Sequence, residues 1–278
     1  MQILKRVLGL LVMYSLWAAP LLQAKTGEQQ SDSLSYTVKT EFLPMADGVK
    51  LATDVYLPLQ NGVCPTVLVR TPYDKKHVKG QAEWFTENGI AVIAQDCRGK
   101  LLSEGVFYPF KNERQDGLTT VKWIRSQAWS NGKIASWGGS YVGYTQWAIS
   151  DVLDVVTAEL TSANIYELLY LDGLFSLATA FNWGLIVDSK TVNPIPPQKI
   201  LNSYTILPLS VADDSTYKDN AFINDWLAHD SYDDYWKAMN HRGITNSAVI
   251  SFAGWYDIFL MPQIEDFIAL NEEAKTKS

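Results

Sequence analysis

The chain has 278 residues, 23 lysines and arginines against 30 aspartates and glutamates, and a formal net charge of −7. That length suits one α/β domain with a sizeable core. The acidic balance, with no basic run anywhere, argues against nucleic acid as a partner.

From the N-terminus, Lys5 and Arg6 precede an apolar run over residues 7–22 that ends in Leu22-Gln23-Ala24. This is the charged, apolar and small-residue order of a secretory signal. Residues 1–24 are therefore expected to be a signal peptide, and the mature chain to be secreted or periplasmic without stable membrane association. An uncleaved anchor is the alternative, but the run contains Pro20 and is short for a span of roughly 20 residues.

Residues 36–42 and 50–56 alternate around an Asp47-Gly48 turn, which predicts a β-hairpin. Residues 66–70 and 90–95 are β-branched runs without alternation, as expected of strands buried on both faces of a parallel sheet. Residues 80–88 read as a helix stopped at Asn88-Gly89, and residues 116–126 as a second amphipathic helix. A strand is expected over 133–137, then a helix to about Ser150. Two strands followed by β-α-β-α-β-α predict an α/β sheet with right-handed crossovers.

Cys64 and Cys97 flank opposite ends of the predicted strands 66–70 and 90–95. Parallel neighbours would hold them one strand length apart, roughly 16 Å, whereas a disulfide needs Cα atoms within about 7 Å. No disulfide is expected. Neither cysteine has metal-ligand company, and no metal or cofactor is expected.

Between the strand 133–137 and its following helix stands Gly138-Gly139-Ser140-Tyr141-Val142-Gly143. A serine on a tight, glycine-flanked strand-to-helix turn has its hydroxyl exposed above a parallel sheet, as a nucleophile elbow requires. The spacing departs from G-x-S-x-G, because Val142 takes the usual place of the glycine. An idle serine in a Gly-rich turn is the alternative.

Residues 161–243 break the rhythm. They hold many aromatics, the cluster Pro194, Pro196 and Pro197, and no clear strand. They read as a helical insertion capping the sheet, with the core over 36–160 and again over 244–278. The 10 tryptophans and 14 tyrosines of the chain suit an aromatic pocket and equally an ordinary core. A strand over 248–252, then Gly254-Trp255-Tyr256-Asp257 and a helix over 261–274, resume the α/β pattern.

Several collinear motifs then carry a resemblance. They are Asp47-Gly48-Val49-Lys50-Leu51, Arg70-Thr71-Pro72-Tyr73-Asp74-Lys75, Gln95-Asp96-Cys97-Arg98-Gly99 with Ser103-Glu104-Gly105, and Asn131-Gly132-Lys133. The elbow itself, Asp233-Asp234-Tyr235-Trp236 and Gly254-Trp255-Tyr256-Asp257 complete the set. The chain resembles the CocE/NonD family of α/β-hydrolases, which groups X-Pro dipeptidyl-peptidases, cocaine esterase and related acyl hydrolases, and whose elbow is G-x-S-Y-x-G. The resemblance implies an α/β-hydrolase sheet with a helical cap and a small-molecule or short-peptide substrate. It implies Ser140 as nucleophile, the Tyr73 hydroxyl and the Tyr141 backbone N–H as oxyanion donors, and Asp257 as the acid that orients a histidine. Asp96, Arg98 and Glu104 are expected to form an ion-paired loop beneath Tyr73.

Triad order on this fold is Ser, acid, His, yet His77, His229 and His241 all precede Asp257. The family places its histidine after one more strand, in a G-P-W-x-H type loop, and adds a C-terminal β-sandwich. The resemblance thus implies either an N-terminal fragment of a longer hydrolase or a truncated, non-catalytic relative that binds without turnover. Ile258, Phe259 and Leu260 follow Asp257, where α-amino-acid ester hydrolases carry extra carboxylates. That weakens this one subgroup, and leaves peptidase, esterase and acylase undivided.

Overall fold

The computed structural model describes residues 36–59, 62–192 and 195–277. The expected signal peptide and Pro194 lie outside them. Strands β1 (Tyr36–Pro44), β2 (Lys50–Pro58), β3 (Cys64–Thr71), β4 (Ala91–Asp96), β5 (Ser130–Ser136) and β6 (Val155–Glu159) come first. A small antiparallel ribbon, β7 (Tyr170–Leu171) with β8 (Leu174–Phe175), and the strand β9 (Ala248–Phe252) follow. Apart from the ribbon, the strands form one sheet in the order β1-β2-β4-β3-β5-β6-β9. β2 runs antiparallel to both neighbours, and all pairs from β4 to β9 are parallel.

The absence of alternation in β3 and β4 has a direct cause. Leu68, Ile93 and Ile134 pack on one face against Val121 and Ile124 of helix α2 (Glu113–Arg125). Val67, Val69, Val92 and Ala94 pack on the other face against Ala82 of helix α1 (Lys79–Glu87). Both cysteines are buried and free. The register Thr66↔Ala91 to Thr71↔Asp96 sets them at opposite ends of the β3–β4 pair.

Two features depart from the expected order. β6 is an added strand between the elbow helix and residue 161. Its residues, Val-Val-Thr-Ala-Glu, hold only two adjacent apolar β-branched side chains, and pairing with β5 and β9 on either side makes them a strand. β5 starts at Ser130, earlier than the apolar residues suggest, because Cys64 pairs with Ser130 across the sheet.

Gly117 lies in the middle of α2. A Cβ there would stand 2.7 Å from Ile149 Cγ2 and 3.0 Å from Arg70 Nη1. The helix accepts the weak helix former because the sheet and the turn after helix α3 (Tyr141–Trp147) come this close.

Between β6 and β9 the chain is mainly helical, with short helices such as Ile165–Leu169, Asn182–Val187, Pro197–Ser203 and Ala221–Ala228. Buried Phe181, Phe222, Trp226 and Trp236 of this stretch share one cluster with Phe107 and Phe110 of the loop after β4 and with Tyr141 and Tyr144 of α3. Polar ties add to it. Lys100 is fully buried, and its Nζ donates to the carbonyls of Val187 (2.8 Å) and Ser189 (2.6 Å). Burial lowers the Lys100 ammonium to about 8.

Among the described residues β9 is an edge strand. Ile250 and Phe252 are half exposed on one face. On the other, Val249 and Ser251 line an open groove of about 510 Å³ with Ile264, Phe267 and Leu270 of the helix Leu260–Lys277. Unpaired edge N–H and C=O groups beside apolar side chains favour pairing with another chain. If this edge pairs with a second copy of the chain, Ile250→Lys is expected to weaken that association without unfolding the protein. Sedimentation velocity of both proteins checks this, and equal association would place the contact elsewhere.

Candidate active site

Ser140 sits between β5 and α3 with φ 57° and ψ −128°, a conformation that a residue with a side chain rarely adopts. Holding it there costs of order 1–3 kcal/mol, and the surroundings fix it. Its N–H donates to the carbonyls of Glu159 (3.0 Å) and Leu160 (3.1 Å), at the end of β6. Its carbonyl accepts from Thr161 Oγ1 at 2.9 Å. Gln146, one turn along α3, donates to Gly138 O at 2.7 Å and accepts from Thr157 N at 2.8 Å. A Cβ on Gly143 would lie 2.6 Å from Thr161 Cβ and Cγ2. This contact explains a glycine three residues after the serine, since α3 packs there directly against Thr161. The Ser140 hydroxyl makes no cap bond to the helix it opens.

Tyr141 is the first residue of α3, so its N–H has no acceptor within the helix. Its side chain is buried. The phenol donates to Glu113 Oε1 at 2.7 Å and accepts from Phe110 N at 3.0 Å. Burial, and then the Glu113 carboxylate, push this phenol well above its ordinary value. Glu113 in turn faces the fully buried Arg70, whose Nη1 donates to Glu113 O at 2.6 Å and whose Nη2 lies 2.9 Å from Glu113 Oε2. Burial also raises the Cys97 thiol well above its usual range, which makes it a poor nucleophile.

Tyr73 follows β3 at the same carboxyl edge. Its N–H donates to Thr71 Oγ1 at 3.0 Å, and its hydroxyl accepts from Trp183 Nε1 at 3.0 Å. The loop is held from below, where Lys75 N donates to Asp96 Oδ1 at 2.8 Å and Lys75 Nζ pairs with Asp54 Oδ2 at 2.9 Å. The expected mutual ion pairing of Asp96, Arg98 and Glu104 is not what holds this region. Arg98 pairs instead with Asp116 (2.6 Å) and Asp47 (2.7 Å), and Glu104 accepts from Lys50 N at 3.0 Å. The second oxygen of Asp96 is buried without a partner, and burial raises its carboxyl to about 6.

Asp257 follows β9. Its Oδ1 accepts from Phe259 N at 2.8 Å, and its own N–H donates to Gly254 O at 3.0 Å. Leu160, which accepts from Ser140 N, donates to Phe252 O at 2.9 Å, and Leu160 Cδ2 lies 3.8 Å from the Cβ position of Gly254. Gln263 of the helix Leu260–Lys277 ties the same edge together, donating to Phe252 O (2.7 Å) and Ala158 O (2.9 Å). Ser140, Tyr73 and Asp257 therefore stand on loops that leave the carboxyl ends of β5, β3 and β9, where α/β sheets present their sites.

The histidines are engaged elsewhere. Among the described residues none hydrogen-bonds to Ser140 or Asp257. His241 is buried, with Nε2 3.1 Å from the Tyr144 hydroxyl. His229 Nδ1 meets Asp233 Oδ2 at 2.5 Å, and its ring stacks on Tyr235 at 4.3 Å. His77 is exposed in the turn after Tyr73. Two neighbours of the site lack any sequence signal. They are Trp183, one aromatic among many, and Glu159, whose carboxyl is raised by burial beside the elbow.

The family model described as X-Pro dipeptidyl-peptidase (S15 family) matches residues 47–277. The cocaine esterase of Rhodococcus sp. (strain MB1 Bresler) is 31% identical over 276 residues, covering 87% of this chain and 48% of that protein. The chain thus spans about half the length of that relative. An α-amino acid ester hydrolase structure superposes with a TM-score of 0.69 at 20% identity, over 93% of this chain and 49% of its own. An aminopeptidase from a marine sediment Thaumarchaeota archaeon gives 0.64 at 20% identity, over 84% and 45%. These two likenesses bear on the fold alone, and that fold is of the α/β-hydrolase type.

Burial, with Arg114 as the next contributor, lowers the His241 imidazole from 6.5 to about 4. A depressed folded value contributes stability that is present above 6.5 and lost as pH falls towards 4. Its size is about 3 kcal/mol. Asp96, raised to about 6, acts in the opposite sense, losing its contribution as pH rises through that value. His241→Asn should therefore reduce the acid loss of stability between pH 6.5 and 4 by about 3 kcal/mol. Urea midpoints across that range read it, and an unchanged pH slope would show that His241 titrates normally.

Proposed function

The chain belongs to the X-Pro dipeptidyl-peptidase (S15) family, and from that premise we propose that it is an exported serine hydrolase. It cleaves an ester or amide bond through an acyl-enzyme on Ser140, as a peptidase, acylase or carboxylesterase. The observation that carries the assignment is the backbone of Ser140, held at φ 57° with its hydroxyl uncommitted to the helix cap.

Ser140 Oγ attacks the substrate carbonyl carbon and gives its proton to a base. The carbonyl oxygen becomes an oxyanion, stabilised by the Tyr141 N–H and the Tyr73 hydroxyl. Collapse expels the alcohol or amine with that proton, and water then releases the acyl group by the reverse route. Asp257 orients the base and stabilises its charged form. His229 and His241 are occupied by Asp233 and Tyr144, so among the described residues neither is placed to serve as that base. The same histidine geometry favours a second reading, a binding protein that retains the elbow without turnover.

A fluorophosphonate probe separates the two. Ser140 Oγ should displace fluoride slowly in this chain, added imidazole should speed the labelling by standing in for the base, and Ser140→Ala should abolish it. Labelling that survives Ser140→Ala would identify another nucleophile. Fast labelling indifferent to imidazole would place the base within the chain, and none at all would favour the binding protein. Tyr73→Phe should slow the reaction by about 10²- to 10³-fold, the usual effect of one lost oxyanion donor. An unchanged rate would reduce Tyr73 to packing.

A further inference from the structure

We propose that Trp183 is a positioning residue for the oxyanion site, through which the helical insertion between β6 and β9 controls both oxyanion donors. The proposal rests on the assignment of Tyr73 and Tyr141 as those donors. Trp183 lies 110 residues from Tyr73 in the chain, yet its Nε1 stands 3.0 Å from the Tyr73 hydroxyl. An indole N–H can only donate, so the phenol oxygen is the acceptor. That bond directs the phenol's own proton away from the indole. It also polarises the O–H, because a hydroxyl that accepts a hydrogen bond becomes a stronger donor.

The same indole packs on the side chain of the residue whose backbone is the other donor. Its ring stacks on that of Tyr141 at 5.6 Å and 28°, and on Phe110 at 5.6 Å and 24°. Trp226 lies parallel to it at 6.2 Å and 12°. The ring plane is therefore set by three neighbours, and the direction of its N–H with it. The helix that carries Trp183, Asn182–Val187, is clamped at both ends. Tyr204 donates to Asn182 Oδ1 at 2.7 Å, and Lys100 holds Val187 O at 2.8 Å. One side chain of the insertion thus hydrogen-bonds the first oxyanion residue and stacks on the second. A ring that served packing alone would need no N–H at this place.

Trp183→Phe keeps a ring and removes the donor. The Ser140 labelling rate with a fluorophosphonate, at fixed added imidazole, should fall by roughly three- to tenfold, the scale of one hydrogen bond. The half-saturating probe concentration should stay within about twofold, and the loss should vanish in a Tyr73→Phe background, since both changes break the same link. Full additivity in the double variant, or an unchanged rate in Trp183→Phe, would overturn the proposal. A second measurement needs no reactivity. The indole proton resonance of Trp183 should move upfield in Tyr73→Phe, and a resonance that stays put overturns the proposal. If native Ser140 takes no label while that resonance moves, the hydrolase assignment fails and the tie between insertion and Tyr73 stands.

Discussion

The arrangement depends on one buried charge pair. Arg70, at the end of β3, is 1% exposed and faces Glu113 at the start of α2. Removing either partner would leave an uncompensated charge in the core, a loss of about 3–5 kcal/mol. The pair is tolerated because most of its polar atoms are engaged, although Arg70 Nη2 meets Glu113 only as an ionic contact. Gln95 Oε1 accepts from Arg70 Nε at 3.0 Å, and the Tyr141 phenol takes one Glu113 oxygen. The two ends of this network lead to the two sides of the site. Three residues after Arg70 comes Tyr73, and one residue before Tyr141 comes Ser140. The distance between the elbow and the Tyr73 loop is thus set from beneath by ionic contacts too costly to rearrange.

Hydrophobic pattern made the sheet legible. The β-branched runs in β3 and β4 are continuous because two helical layers cover them, and the turn at Asp47-Gly48 announces its hairpin by composition. The elbow was legible for a related reason: its glycines answer local steric demands that act over a few residues. β6 was not, because what makes Val155–Glu159 a strand is the pairing on both flanks rather than its own composition. Polar partnerships were less legible still. Arg98 chooses Asp47 and Asp116, 51 and 18 residues away, and no spacing rule connects them. Trp183 is harder again, since its neighbourhood exists only after the segment between β6 and β9 has packed against Tyr73, Phe110 and Tyr141.

The histidines show why residue type alone is a weak guide. His241 and His229 each have the polar partner that a base would have, a hydroxyl in one case and a carboxylate in the other. What separates them from the elbow is location, and location came only with the fold. His241 lies under Tyr144 in a buried contact that keeps it neutral. His229 closes a local i,i+4 pair with Asp233 on the surface of the insertion.

The close approach at Gly117 reaches beyond its own helix. Exchanging a mid-helix glycine for alanine ordinarily adds stability by limiting the unfolded chain. Here the added methyl would press on Ile149 and on the guanidinium that anchors the network. Position 117 can enlarge only if position 149 shrinks in the same lineage and Arg70 keeps its seat. Substitutions at these two sites are therefore expected to be coupled. A stabilisation scheme that scores residues one at a time would select at Gly117 a change for which the neighbouring side chains leave no room.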